Sequence, residues 1–430
     1  MADAHTPRRI VVVGPGPQFK GGIAHYTTSL ARALAEQPGT EVHIVSWTQQ
    51  YPALIPRDFI DRASRQTLLE GTGIRVHYLL NYNWPGSWRR TYRQIVALRP
   101  EKVIVQWAIA LQGLPLGYLG RWLARHPDIE LVYDLHLVAQ KEATRLDYRL
   151  TRFGISPART YIVHALKTYE ELQAAFPDRT FALSEDGQRT PAPVTRTVLR
   201  LFHPVYDMFR PEAGFDRAAV RAELGLRTHV FLFFGFIRKY KGLHWCLQAF
   251  AELASRRDDV SLLIVGERFW HTLAPKRPLT RLRQAVFGLL LRAFGRKPSD
   301  EQGYDPLALI EPLGIADRTV VIDRFVPNEE VPRYFQVADG IVLFYEYATP
   351  SGVESIAANF RLPILATRVG HFPETVVEGQ TGYLATPADL ASMAQALEQL
   401  ITHPLAPEAI GQVAQARSWQ RYTEVVLGTP

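Results

Sequence analysis

Two glutamates, Glu346 and Glu354, stand with seven residues between them in YEYATPSGVES, and Pro350-Ser351-Gly352 fill the middle. A strand pattern ends at Glu346 and a helix pattern starts near Gly352. Both carboxylates and the bare amides of Ser351, Gly352, Val353 and Glu354 should therefore gather at one helix N-terminus. Amides so placed can hold a phosphate, while the two acids grip hydroxyls of a sugar and a ribose. A purely structural role satisfies the same residues: Ser351 caps the helix, Glu354 closes a capping box and Glu346 is a surface charge.

A second cluster lies upstream in FFGFIRKYKG, where Arg238 and Lys241 follow a strand ending at Gly235. Two cations at the carboxyl end of a strand can face a diphosphate and neutralise the charge that builds as it leaves. A solvated basic loop is the alternative. Near the start, Gly14-Pro15-Gly16 and Lys20-Gly21-Gly22 lead into a helix pattern, as an anion-binding turn or as a tight turn without ligand. A dinucleotide site fits poorly, because Phe19 stands where a third glycine is needed and no acid ends the next strand, VHIVSW.

These residues need a scaffold of alternating strands and helices. Short β-branched runs at 9–14, 41–46, 102–106, 130–135, 161–164 and 198–201 alternate with amphipathic stretches, the pattern of a parallel α/β sheet. HPVYDMFRPEAG at 203–214 interrupts the rhythm and reads as a linker. A second series follows at 229–235, 261–265, 319–322, 340–345 and 363–366. Two doubly wound sheets in tandem are expected, with the site in a cleft at the carboxyl ends of their strands. The expected division is 1–205, 206–403 and a terminal segment, 404–430, that crosses back to the first domain. The stretch 55–73 reads as a long loop with helical content. The insert at 268–304 carries eight basic residues and no acid between Arg268 and Lys297, around AVFGLLL. It suits a helix lying on an anionic membrane, or a helical hairpin packed on the second domain.

Bulk properties agree with a two-domain globular protein: the chain has 430 residues, 47% of them hydrophobic and 21% charged, and single cores rarely exceed roughly 300 residues. The net charge of +7 suits a phosphorylated ligand or an anionic surface. No nucleic-acid-binding signature accompanies it. The single cysteine, Cys246, excludes an intrachain disulfide. No leader pattern and no apolar window of spanning length is read, so the expectation is a cytoplasmic protein with at most peripheral membrane contact.

Taken together, the motifs resemble the retaining GT-B glycosyltransferases of the family-four group, also called glycosyl transferases group 1. Gly21-Gly22 resembles the glycine loop of that family's first domain, and Gly235 with Arg238, Lys241 and Gly242 resembles its cation loop. Glu346 to Glu354 is similar to its paired-glutamate motif, and Val369-Gly370-His371-Phe372-Pro373-Glu374 with Glu378-Gly379-x-Thr381-Gly382 to the segment that follows. The resemblance implies an α/β GT-B fold, two Rossmann-like domains facing each other across a cleft, and transfer of a sugar from a UDP or GDP donor with retention. It further implies that Arg238 and Lys241 bind the diphosphate, Glu354 the ribose, Glu346 the transferred sugar, and that His136 reaches the donor sugar. Phe325-Val326-Pro327 resembles the loop that contacts the base. Phe236 departs from the pattern, since many members carry arginine directly after the glycine.

No two aspartates are spaced by one residue, so a metal-independent reaction without a cofactor is expected. The acceptor would be a saccharide or a lipid-linked hydroxyl, as in polysaccharide assembly. Its binding loops are expected to include YNWPGSWR at 82–89, where Trp84 and Trp88 stack on sugars or pack in the core. Rival functions on the same scaffold are a nucleotide-sugar epimerase or hydrolase and a non-catalytic sugar-nucleotide binding protein.

Overall fold

The computed structural model describes residues 7–53, 59–65, 68–138, 144–192, 194–268, 303–350 and 352–428. The chain divides into two compact units: Met1–Asp61, Thr67–Pro204 and Arg417–Pro430 form the first, Arg62–Gln66 and Val205–Ala416 the second.

The first unit contains β1 (Arg8–Val13), α1 (Gly22–Ala35), β2 (Thr40–Gln49), β3 (Arg75–Asn81), α2 (Pro85–Ala97), β4 (Lys102–Trp107), α3 (Gly113–Leu123), β5 (Glu130–Leu135), α4 (Arg145–Ile155), β6 (Thr160–Val163), α5 (Leu166–Ala175), β7 (Thr180–Ser184) and β8 (Thr195–Arg200). Its eight strands pair in the order β3-β2-β1-β4-β5-β6-β8-β7. Every pairing is parallel. Parallel sheets are covered on both faces, so their inner strands read as continuous apolar runs; KVIVQW of β4 is buried from end to end.

Three expectations need correction here. The edge strands β3 and β7, RVHYLLN and TFALS, are half exposed and carry too weak an apolar run to be read as strands. Among the described residues of 55–73 there is no helix. YNWPGSWR is largely not a loop but the start of α2, with Pro85 in the first turn, where its missing N–H costs nothing. Trp88 is a core residue whose Nε1 donates to the Asn81 carbonyl at 2.8 Å, whereas Trp84 is 56% exposed.

The second unit continues with α6 (Arg217–Glu223), β9 (His229–Phe234), α7 (Leu243–Ala254), β10 (Val260–Val265), β11 (Thr319–Ile322), α8 (Val331–Val337), β12 (Gly340–Leu343), α9 (Gly352–Asn359), β13 (Ile364–Thr367), α10 (Phe372–Thr375), β14 (Gly382–Ala385), α11 (Leu390–Thr402) and α12 (Pro407–Gln415). Its strands run β11-β10-β9-β12-β13-β14. In both sheets the order reverses beside the first strand, between β1 and β4 and between β9 and β12. That is where open α/β sheets bind ligands. The segment 203–214 is more than a linker: Tyr206, Met208 and Phe209 are buried, the Tyr206 amide donates to the Ser355 carbonyl at 3.3 Å, and Asn359 Nδ2 donates to the Phe209 carbonyl at 2.5 Å. Its aromatic residues pack on α9 despite the prolines that interrupt the strand rhythm.

The last helix, α13 (Trp419–Leu427), belongs to the first unit. Arg189 donates to its final carbonyls, Val425 at 3.1 Å and Val426 at 2.7 Å. A cation there adds a donor to the last carbonyls and complements the negative end of the helix.

Candidate functional site

In the second unit, the loops after β9 and β12 flank the point where strand order reverses. Gly235 ends β9 with φ of +97°, and a side chain there would meet Lys241 Nζ at 2.9 Å and Val353 Cγ2 at 3.7 Å. The glycine thus lets the Lys241 ammonium approach the backbone beside the start of α9. Lys241 closes a single 3₁₀ turn, Lys239–Lys241, and is only 8% exposed. Burial, reinforced by the Arg238 charge, pulls its ammonium down to about 7. Arg238 stacks its guanidinium over the Tyr240 ring, 5.0 Å from the centroid.

The two loops are joined through backbone and rings. The Glu346 amide donates to the Tyr240 carbonyl at 2.7 Å, and the Tyr240 and Tyr347 rings stack at 4.9 Å. Gly242 occupies the left-handed region at φ 64°, and a Cβ there would fall 1.9 Å from the Phe344 carbonyl oxygen. Glycine at this position therefore fixes how close the cation loop lies to the segment that follows β12 and carries Glu346.

Gly352 begins α9 against the Tyr206 ring, and Glu354 sits in its first turn, 6% exposed. A carboxylate there is favoured by the helix dipole. It is met by His371, whose Nε2 lies 2.5 Å from Glu354 Oε2. Ser351, assigned to the same turn from sequence, lies outside the described residues. Val326 is buried in the loop after β11; beside it the Asn328 amide donates to Ser64 Oγ at 2.9 Å, and Asn328 Oδ1 is buried without a hydrogen-bond partner. Ser64, from the first half of the sequence, thus supports the loop that carries Val326.

In the first unit, Gly21 caps α1 with φ of 104°, and among the described residues, chain neighbours and the helix's own backbone apart, none lies within 4 Å of where a side chain on Gly21 or Gly22 would begin. His136 follows β5 and is buried, with the Tyr26 ring of α1 edge-on at 4.6 Å. Its Nε2 meets Gln106 Oε1 at 2.7 Å, so Nε2 carries the proton and Nδ1, buried without a partner among the described residues, keeps a lone pair. Burial drives its imidazole down to about 4, against the opposing pull of Asp134.

Behind His136 is a polar cluster that sequence patterns did not single out. Gln106 Nε2 donates to Asp134 Oδ2 at 3.3 Å, Tyr422 donates to the same oxygen at 3.3 Å, and Tyr26 donates to the Tyr422 hydroxyl at 2.6 Å. His164 places Nδ1 on the Leu201 carbonyl at 2.9 Å and Nε2 on Asp134 Oδ1 at 2.8 Å. Burial pushes the Asp134 carboxyl upward, but the His164 charge and hydrogen bond outweigh it and hold the group at about 2. By distance Asp134, His136 and His164 could surround a metal ion, with ligand atoms within 4.8 Å of one another. Both nitrogens of His164 and both oxygens of Asp134 are already committed to neighbours, so the cluster fits a hydrogen-bonded support better than a metal centre. The readable signal was a polar residue inside each apolar strand, as in LVYDL.

The basic insert lies outside the described residues from 269 to 302. Its two ends are rooted in the second unit: Arg268 donates to Asp323 Oδ2 at 2.8 Å, and the Tyr304 hydroxyl meets the His244 amide at 3.1 Å. Among the described residues no helix is long and apolar enough to cross a membrane.

Residues 216–417 match the family described as Glycosyl transferases group 1. Spore coat protein SA of Bacillus subtilis is 24% identical over 240 residues, 53% of this chain and 55% of that protein. D-inositol 3-phosphate glycosyltransferase of Streptomyces scabiei is 26% identical over 440 residues, 96% of this chain and 87% of that protein. The chain thus spans about half the length of the first relative and most of the second. HepE of Anabaena, solved in complex with UDP and glucose, superposes with a TM-score of 0.65 over 98% of this chain and 100% of its own, at 16% identity, a likeness of fold. Residues 216–417 thus resemble the glycosyl transferases group 1 family, and the chain has the GT-B fold, an α/β architecture of two Rossmann-like units.

Proposed function

We propose that the protein is a glycosyltransferase that moves a sugar from a UDP- or GDP-linked donor to a hydroxyl of a saccharide or lipid-linked acceptor, with retention of configuration. The observation that carries it is the buried Lys241 ammonium, held under Gly235 and beside the start of α9. Burying a cation is costly unless an anion joins it, and a diphosphate supplies that charge. In this assignment Lys241, Arg238 and the amides of Ser351, Gly352 and Val353 receive the phosphates. Glu354 takes the ribose hydroxyls, Val326 packs near the base, and Glu346 orients the transferred sugar. In the first unit, His136 and the Gly21-Gly22 turn are the residues assigned to a sugar hydroxyl and to a phosphate or sugar.

The bond between the anomeric carbon and the diphosphate oxygen breaks as the acceptor oxygen bonds to the same face. The acceptor proton passes to the departing phosphate, so no protein base is required. Lys241 and Arg238 stabilise the negative charge that grows on the leaving group.

A thermal-shift panel of UDP, GDP, ADP and NAD on the wild type and on Glu354→Ala tests the assignment. A nucleoside diphosphate at about 100 times its Kd should stabilise the protein by roughly 2.7 kcal/mol, and the substitution should reduce that gain. Stabilisation by NAD alone, or by no ligand, would sink it.

A further inference from the structure

We propose that His371 is a positioning residue for nucleotide binding, which holds the Glu354 carboxylate in the one orientation that can receive the ribose diol. Its significance rests on the donor-site assignment above. The geometry stands on its own.

His371 is 1% exposed and Glu354 6%, and the 2.5 Å separation of Nε2 from Oε2 is that of a strong charge-assisted hydrogen bond. A carboxylate oxygen accepts, so Nε2 carries the proton. The other ring nitrogen, Nδ1, is buried without a partner among the described residues. A lone pair is tolerated there better than an unsatisfied N–H, which would lose its hydration outright. Protonation on Nε2 alone leaves no buried N–H unpaired at Nδ1.

The backbone fixes the ring as firmly as the hydrogen bond does. Gly370 precedes it in the left-handed region at φ 56°, and a Cβ there would fall 2.0 Å from the Ala348 carbonyl oxygen. The turn that carries His371 is therefore pressed against the loop that carries Glu346. The His371 carbonyl then accepts from the Glu374 amide at 2.8 Å and opens α10, and its ring packs on Phe372 at 4.6 Å. Glu354 is thus held from its own helix and from a second loop 17 residues away. A glutamate side chain left to itself samples several rotamers, and each must be given up on binding. Held by His371, it does not add that cost.

The test compares binding of UDP and GDP with their 2′,3′-dideoxy counterparts, which lack the diol. Wild type should prefer the ribose forms, and Glu354→Ala should abolish that preference. His371→Leu keeps buried bulk but loses the donor. It should weaken the ribose forms about tenfold and leave the dideoxy forms unchanged. His371→Gln, which retains an N–H donor, should recover most of the loss. Equal weakening of both forms by His371→Leu, or an intact ribose preference, overturns the proposal. A preference that survives Glu354→Ala overturns the donor-site assignment instead. If His371→Leu does not fold, ring-nitrogen NMR of the wild type decides: protonation at Nε2 is expected, and protonation at Nδ1 alone overturns the role.

Discussion

Lys241 should take up a proton when a nucleoside diphosphate binds. Its ammonium is lowered to about 7 in the empty protein, by burial first and by the Arg238 charge second. At pH 8 such a group is about one tenth protonated, and at pH 6 about nine tenths. A bound diphosphate reverses the electrostatic balance and favours the charged form. Binding at pH 8 should then draw about 0.9 proton from the buffer, and binding at pH 6 about 0.1 from this group. Because the competent form thins out as pH rises, affinity should fall by nearly tenfold per unit between about pH 8 and 9. Isothermal titration calorimetry in two buffers of different ionisation enthalpy reads the proton count directly. Lys241→Gln should bind weakly and show no uptake. A count near zero at pH 8 in the wild type, or the same uptake in Lys241→Gln, would refute the claim that a buried, partly neutral Lys241 meets the diphosphate.

Three other outcomes follow from the packing. Gly242→Ala combines left-handed backbone strain of about 1–2 kcal/mol with a Cβ aimed at the Phe344 carbonyl; calorimetry should show the unit carrying Lys241 melting lower, with weaker nucleotide binding. Tyr422→Phe removes one acceptor of Tyr26 and one donor to Asp134, so it should cost about 1–3 kcal/mol. Tyr26→Phe removes a donor from Tyr422 and an interaction with Asp134, so it should cost a similar amount in urea unfolding; no measurable loss from either substitution would contradict the buried network. Asp134 titrates below its ordinary value because of His164. Its contribution to stability is therefore present above about pH 4 and lost as pH falls through about 2. Asp134→Asn should flatten that part of the acid-unfolding curve.

Much of the scaffold can be read from periodicity, since a parallel sheet writes its inner strands as apolar runs. Glu130–Leu135 and Thr319–Ile322 coincide with β5 and β11. β3 and β7 escape because each lies at a sheet edge, where one side faces water and polar residues interrupt the run. Trp88 shows the limit of composition: an aromatic beside proline and glycine looks like loop chemistry until α2 turns it into the core. At the site, Lys241, Glu346 and Glu354 announce themselves because each stands within a few residues of a strand end or helix start. His371 does not. Its contact with Glu354 depends on how two separate loops meet, and no spacing rule encodes that. The same holds for Gln106, Asp134, His164 and Tyr422, which four different elements deliver to one buried cluster. Polar side chains within otherwise apolar strands are the one local hint.

The most direct measurement is release of nucleoside diphosphate from UDP- and GDP-sugars, with saccharide and lipid-linked acceptors offered in turn, by wild type, Lys241→Ala and Glu354→Ala. The account predicts that one sugar nucleotide is consumed, that its sugar appears on an acceptor, and that Lys241→Ala slows the reaction by about 100-fold or more. An unchanged rate in Lys241→Ala, or no consumption of any sugar nucleotide by a folded wild type that fails to bind nucleoside diphosphates, would contradict it.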